Sequence, residues 1–234
     1  MSTPGAESFM TQAIRLVRFP LLIIAVLFAV KVAEQWFGWS LIYYGIQPRE
    51  PGTIPGILTA PFVHGDWNHL FSNATGLFAM MFLINTFYPR VAVMTYFFTL
   101  IVSGIMVWFF ARGNSYHIGA SGVVYGLVSF VFFTGLFRKN PKSVVLALIM
   151  IVLYSGLVEN LFPNDKKISW ESHLSGVIAG FFAAFLFKNI REPDEVIAES
   201  ASDEEERQYF LPRDAFEKTR KEREWEKMYN QFEN

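Results

Sequence analysis

The stretch His117-Ile118-Gly119-Ala120-Ser121-Gly122-Val123-Val124-Tyr125-Gly126 joins a polar loop to a long apolar run. Ser121 stands among small residues where a helix would begin, so its hydroxyl lies near the free backbone N–H groups of the first turn. A nucleophile and a site for a developing oxyanion can be built together at such a point. Alone, Gly-x-Ser-Gly is a weak pattern, because small residues also serve close helix packing in membranes. Its weight depends on what the rest of the chain brings to the same depth.

Composition sets the class. Apolar residues make up 52% of 234, aromatics 17%, and the mean hydropathy is +0.28. That is too apolar for an ordinary soluble domain. With no cysteine, disulfides, thiolate catalysis and cysteine metal sites are excluded. The net charge of −1 hides an asymmetry: residues 191–234 carry 14 acidic and 8 basic side chains, leaving the first 190 residues at +5. An apolar, mildly basic body with a charged tail reads as a membrane protein with a cytosolic extension. Three parts are expected: a cytoplasmic segment 1–18, a six-span body 19–190 and a charged cytoplasmic tail 191–234.

Arg15 and Arg18 precede an apolar run from 19 to about 38, interrupted near its end by Lys31 and Glu34. No small-residue cleavage site follows, so the run reads as a retained first span, with Lys31 and Glu34 facing other helices or snorkelling. Residues 39–67 hold Trp39, Tyr43, Tyr44, Pro48, Pro51, Pro55 and Pro61 without charge runs, which suits a segment lying in the membrane interface. Five further spans are expected at about 68–88, 91–111, 121–137, 143–162 and 171–188, each near the ~20 residues a crossing needs. Arg15, Arg18, Arg90, Arg138, Lys139, Lys142, Lys188 and Arg191 then share one side, against Arg49, Arg112, Lys166 and Lys167 on the other. This excess places both termini inside.

Depth can be counted back from the basic inner ends of the second, fourth and sixth spans. Arg138 to Ser121 is 17 residues, about 26 Å; Arg90 to Asn73 is again 17; Lys188 to His173 is 15, about 23 Å. His69 lies one turn from Asn73 on the same face. Three alternate helices therefore bring a serine, a histidine and a His/Asn pair to nearly one level. The fourth span is shorter than a hydrocarbon core of about 30 Å, so Ser121 lies below the surface. The loop 112–120 must then dip into the protein, where irregular backbone is tolerated only if buried or lining a wet cavity.

The segments His64-Gly65-Asp66-Trp67-Asn68-His69-Leu70-Phe71-Ser72-Asn73, Gly119-Ala120-Ser121-Gly122 with Tyr125, and His173-Leu174-Ser175-Gly176 with Gly180 resemble the three signatures of rhomboid intramembrane serine proteases. The resemblance covers about 170 residues, from the first span to the sixth. It implies an all-α membrane protein, a rhomboid-like bundle of six transmembrane helices. It further implies that Ser121 is the nucleophile and His173 its general base and acid, a dyad without a carboxylate orienter. The Ser121 N–H with the His69 and Asn73 side chains would hold the oxyanion. Tyr125 matches the tyrosine that stacks on the catalytic imidazole. Gly119 and Gly122 are supporting residues of the serine signature, and Gly176 and Gly180 match the pattern that lets the sixth helix approach the fourth closely. His64 matches an entrance position that is structural rather than catalytic. Two departures stand out: Trp39 and Arg49 replace an adjacent Trp-Arg pair in the first outer loop, and Ser172 stands where alanine is usual.

The expected activity is endopeptidase cleavage of single-span membrane proteins in or beside the bilayer. No metal, cofactor or nucleic acid is expected, and the oligomeric state is left open. The alternative is a rhomboid-like protein that binds membrane helices without cleaving them; intact Ser121 and His173 weigh against it. A small transporter would want paired ionisable groups at mid-membrane and inverted repeats, which are not seen. His117, near Ser121 in sequence, is the rival base. The four histidines share no helix face suited to zinc. In the tail, Asp203-Glu204-Glu205-Glu206 is a solvated charge run. Phe216, Trp225, Met228 and Phe232, set among charges, fit either an amphipathic helix or a loosely ordered extension.

Overall fold

The computed structural model describes residues 9–162, 169–195 and 219–232. Asp165, Lys166, Lys167, the acidic run 203–206 and Phe216 lie outside them. The chain forms two compact units, Met1–Ile190 and Arg191–Asn234. Among the described residues no strand forms; a single isolated bridge joins Ile46 and His117.

Among the described residues, the first unit is built on six apolar helices and one short one. The first helix, α1 (Phe9–Phe37), starts well before the apolar run and contains Pro20. Gly38, at φ 66°, ends it: the Trp39 N–H donates to Glu34 O (3.0 Å) and the Gly38 N–H to Gln35 O (3.4 Å). This is a Schellman closure, in which a left-handed glycine lets the last carbonyls be satisfied. The connection that follows is a packed structure of 3-10 turns and one short helix, α2 (Gly56–Thr59). Arg49 pins it to the end of the fourth helix by donating to Phe109 O and Ala111 O, while the Trp108 indole donates to Glu50 O.

α3 (Trp67–Phe87) starts at Asp66, whose carboxylate accepts the His69 N–H at 2.8 Å. That is an N-cap contact of the kind worth about 1 kcal/mol. α4 (Ala92–Phe110), α5 (Ser121–Arg138), α6 (Pro141–Tyr154) and α7 (Trp170–Phe187) complete the bundle. Between α5 and α6 the chain turns on Lys139 in the left-handed region (φ 55°). Asn140 then accepts the Ser143 N–H, and Pro141 takes the first helical position. By length and apolarity α1, α3, α4, α5 and α7 suit a membrane crossing. α6 has 14 residues, because the backbone tightens to a 3-10 turn over Ser155–Leu161. Gly156 and Asn160, both weak helix formers, interrupt what composition alone reads as one continuous apolar span.

α5 is the central helix. Phe130, Val131 and Leu127 on it are almost wholly enclosed, and its most extensive contact is with α7. That contact depends on glycine. A Cβ on Gly176 would fall on the Gly122 carbonyl, and one on Gly180 on the Gly126 carbonyl. The two backbones thus approach more closely than any side chain permits.

In the second unit, α8 (Arg220–Phe232) begins with a reciprocal cap: Glu222 accepts the Thr219 N–H and hydroxyl, and the Thr219 hydroxyl accepts the Glu222 N–H. Trp225, Met228 and Tyr229 are exposed on it at helical spacing.

Candidate active site

Ser121 opens α5 and has no side-chain cap before it, because the N-cap is Ala120. The first-turn N–H groups therefore stay free of side-chain acceptors, and their dipoles face the same space as the Ser121 hydroxyl. His173 lies one turn into α7, and its Nε2 is 3.0 Å from Ser121 Oγ. Its other nitrogen, Nδ1, is 2.9 Å from the backbone carbonyl of Asn160. A carbonyl can only accept, so the proton sits on Nδ1 and the Nε2 lone pair faces the serine O–H. The Tyr125 ring covers the imidazole, with centroids 4.1 Å apart and planes 6° from parallel.

The partner of Nδ1 was not anticipated from sequence. Asn160 belongs to the 3-10 turn after α6, and its main-chain oxygen does what a carboxylate does in triads: it orients the ring. Its side chain also interacts with the Tyr125 hydroxyl. No residue type signals such a carbonyl in advance. The turn after a shortened helix is its only trace.

His69 and Asn73 approach from α3. Gly119, two residues before Ser121, has φ 98°, and a Cβ there would stand 2.6 Å from His69 Nε2 and 3.1 Å from Asn73 Nδ2. Only glycine lets the loop pass these side chains, since the left-handed backbone and the crowding both exclude a larger residue. Asn73 is buried, and its Nδ2 has no hydrogen-bond partner in the protein. An unpaired buried donor is costly, so this one is available to an incoming acceptor. Ser121, His173, His69, Asn73 and Tyr125 all line one cavity of about 580 Å³, with Asn160 and Ser169 beside them. Gly122 and Gly176 stand behind it in the α5–α7 contact.

The other two histidines are elsewhere. His117 is buried, with Nδ1 2.5 Å from Ser169 Oγ and Nε2 3.1 Å from Arg112 O, and its backbone pairs with Ile46 in both directions. Both ring nitrogens are occupied and it does not reach Ser121; burial lowers its pKa. His64 lies in the turn before α3, 2% exposed, with its ring edge-on to His69 at 5.0 Å. Burial first, then the His69 ring, lower its pKa to about 4. Asp66 also titrates low, because it accepts the His69 N–H. Arg112 pairs with Glu171 at 3.4 Å, and the carboxylate of Asp66 lines the same cavity as the Ser121 hydroxyl. Among the described residues no group of His, Asp and Glu is arranged to hold a metal.

The Rhomboid domain profile matches residues 51–190. An uncharacterised protein of Mycobacterium bovis is 30% identical over 171 residues, covering 70% of this chain and 71% of its own. A putative rhomboid protein of Acanthamoeba polyphaga mimivirus is 27% identical over 136 residues, 56% of this chain and 73% of that one. A chloroplastic rhomboid-like protein of Arabidopsis thaliana is 25% identical over 142 residues, 55% and 51% of the two chains. With five helices of spanning length and a match through α7, the chain is an integral membrane protein that belongs to the rhomboid family.

Proposed function

We propose that the protein is an intramembrane serine endopeptidase that cleaves single-span membrane proteins within or next to their transmembrane segment. The observation that carries the reading is the 3.0 Å contact between His173 Nε2 and Ser121 Oγ, with the imidazole tautomer set by the Asn160 carbonyl. Nε2 takes the serine proton as Oγ attacks the scissile carbonyl carbon. The carbonyl electrons move to oxygen, and the oxyanion is met by the Ser121 N–H, His69 and the unpaired Asn73 amide. The imidazolium keeps its Nδ1 proton on Asn160 O and gives the Nε2 proton to the leaving nitrogen as the C–N bond breaks. Water then attacks the acyl carbon as His173 Nε2 takes its proton. The imidazolium returns that proton to Ser121 Oγ as the C–Oγ bond breaks and the acid product leaves. Hydrolysis at this depth needs water, and the cavity provides the space for it.

By the example of the rhomboid family, the substrate helix reaches the site from the bilayer, unwinds there and presents a small residue at the cut. Both termini are assigned to the cytoplasmic side of the membrane on the excess of basic residues there. A reporter after Asn234 should read cytoplasmic and one near Pro51 external; opposite readings overturn the orientation.

A fluorophosphonate probe tests the chemistry. It should label the wild type at Ser121, with no labelling in Ser121→Ala and severe loss of labelling and cleavage in His173→Ala. A folded wild type that neither labels nor cleaves any membrane substrate would favour a protein that only binds membrane helices.

A further inference from the structure

Lys31 lies less than two turns from the C-terminal end of a membrane-crossing helix and is 7% exposed, so its ammonium does not face lipid. Its ammonium has three donors and three acceptors in reach: Glu34 Oε2 at 2.7 Å, His64 O at 2.8 Å and Gly65 O at 3.2 Å. Glu34 uses its other oxygen to accept the Leu41 N–H at 3.1 Å. Taking an ion pair out of water is costly, and an apolar residue of similar volume could fill the same place. The two carbonyls explain what the charge does there. They belong to irregular backbone, where no helix or strand can satisfy them.

Their position matters more than their number. Residues 64 and 65 directly precede Asp66, the cap of α3, which holds the His69 N–H. The His64 ring takes no side-chain partner, only the neighbouring Phe62 main chain, and backs the His69 ring edge-on. The ring follows the backbone of this turn, and Lys31 holds that backbone at residues 64 and 65. The links run from Lys31 to the carbonyls of His64 and Gly65, and from there to the cap and ring that set His69.

We infer that Lys31 of the first helix is a positioning residue for the oxyanion side of the site: it clamps the 64–65 backbone and through it fixes His69. This rests on the protease reading above. The transition state, not the bound substrate, needs that donor in place, so loss of the clamp acts on turnover.

The test uses the full-length protein in detergent. Because Lys31→Met alone would strand the Glu34 carboxylate, the variant is Lys31→Met with Glu34→Gln, which keeps an acceptor for Leu41. We expect kcat to fall about tenfold or more with KM within about twofold. Hydrogen exchange at amides 62–68 should quicken while those of α5 do not. Combined with His69→Ala, the clamp variant should fall no lower than His69→Ala alone, since both changes remove one donor, whereas unrelated damage would multiply. If the double variant fails to fold, Lys31→Gln, which keeps a donor without the charge, should show a smaller loss in the same parameter. Unchanged kcat in an active protein, unchanged exchange at 62–68, or full multiplication with His69→Ala overturns the inference and leaves the protease reading standing. A wild type that neither labels at Ser121 nor cleaves overturns both.

Discussion

The Tyr125 ring lies parallel to the His173 imidazole at 4.1 Å, and both sit on the faces along which α5 and α7 touch. Three things thus hold the imidazole: the tyrosine on one face, the Asn160 carbonyl on Nδ1 and Ser121 on Nε2. A ring held this way has lost its rotational freedom, which on the proposed protease reading preorganises it as the base.

Removing the stack should therefore slow turnover without abolishing it. An aromatic pair is worth about 0.5–1.5 kcal/mol beyond its burial, or roughly two- to tenfold in rate. Tyr125→Leu should lower kcat by about that factor, while Tyr125→Phe, which keeps the ring, should stay within about threefold of wild type. Steady-state cleavage of one membrane substrate by both variants decides it. Equal losses would assign the effect to the hydroxyl and its Asn160 contact.

The oxyanion side makes a larger demand. His69→Ala or Asn73→Ala should each lower kcat by about 100- to 1000-fold, the usual cost of one such donor, with the fold intact by circular dichroism. Gly119→Ala should damage the same function from behind, since its Cβ would meet both side chains. Full activity in the His69/Asn73 double variant would remove both residues from the site.

Much of this was legible before any coordinates. Hydropathy gave the helices, and counting 1.5 Å per residue from basic ends brought Ser121, His173 and the His69/Asn73 pair to one level. Those side chains do line one cavity. Other features were hidden for physical reasons. The length of α6 depends on Gly156 and Asn160, weak helix formers inside a mostly apolar run. The Asn160 carbonyl is a main-chain group that every residue type carries. Lys31 could be read as facing helices or snorkelling, because its partners are carbonyls 33 and 34 residues away. His117 looked like a rival base by sequence proximity, and only its contacts with Ser169 and Arg112 show where its ring is used.

The close approach of α5 and α7 predicts an asymmetry among glycines. Gly176→Ala would place a methyl group on the Gly122 carbonyl, forcing apart the two helices that carry the dyad. Overpacking of this kind typically costs about 1–3 kcal/mol. Gly52→Ala meets only a glutamate oxygen 4.0 Å away and serves as the control. Thermal unfolding in detergent should fall for Gly176→Ala and not for Gly52→Ala, and cleavage should fall with it. A stable, fully active Gly176→Ala would mean that the helices can separate without moving His173 from Ser121.

His64 predicts how stability responds to acid. Its pKa is about 4 in the folded protein against 6.5 for a free imidazole, with burial as the main cause and the His69 ring adding to it. Between those values the unfolded chain binds the proton and the folded one resists it, so stability falls as pH is lowered from about 6.5 towards 4. Above 6.5 the ring is neutral in both states and contributes no slope. The full effect is on the order of 3 kcal/mol, reached only when His64 is protonated in the fold as well. His117, also lowered by burial, adds to the same slope, so a single substitution should flatten it in part. Thermal unfolding across pH 4–8 should therefore show a shallower acid side for His64→Phe than for wild type, with matching slopes above pH 7. Identical acid slopes would mean that the buried ring admits water or a counter-charge when it takes up its proton.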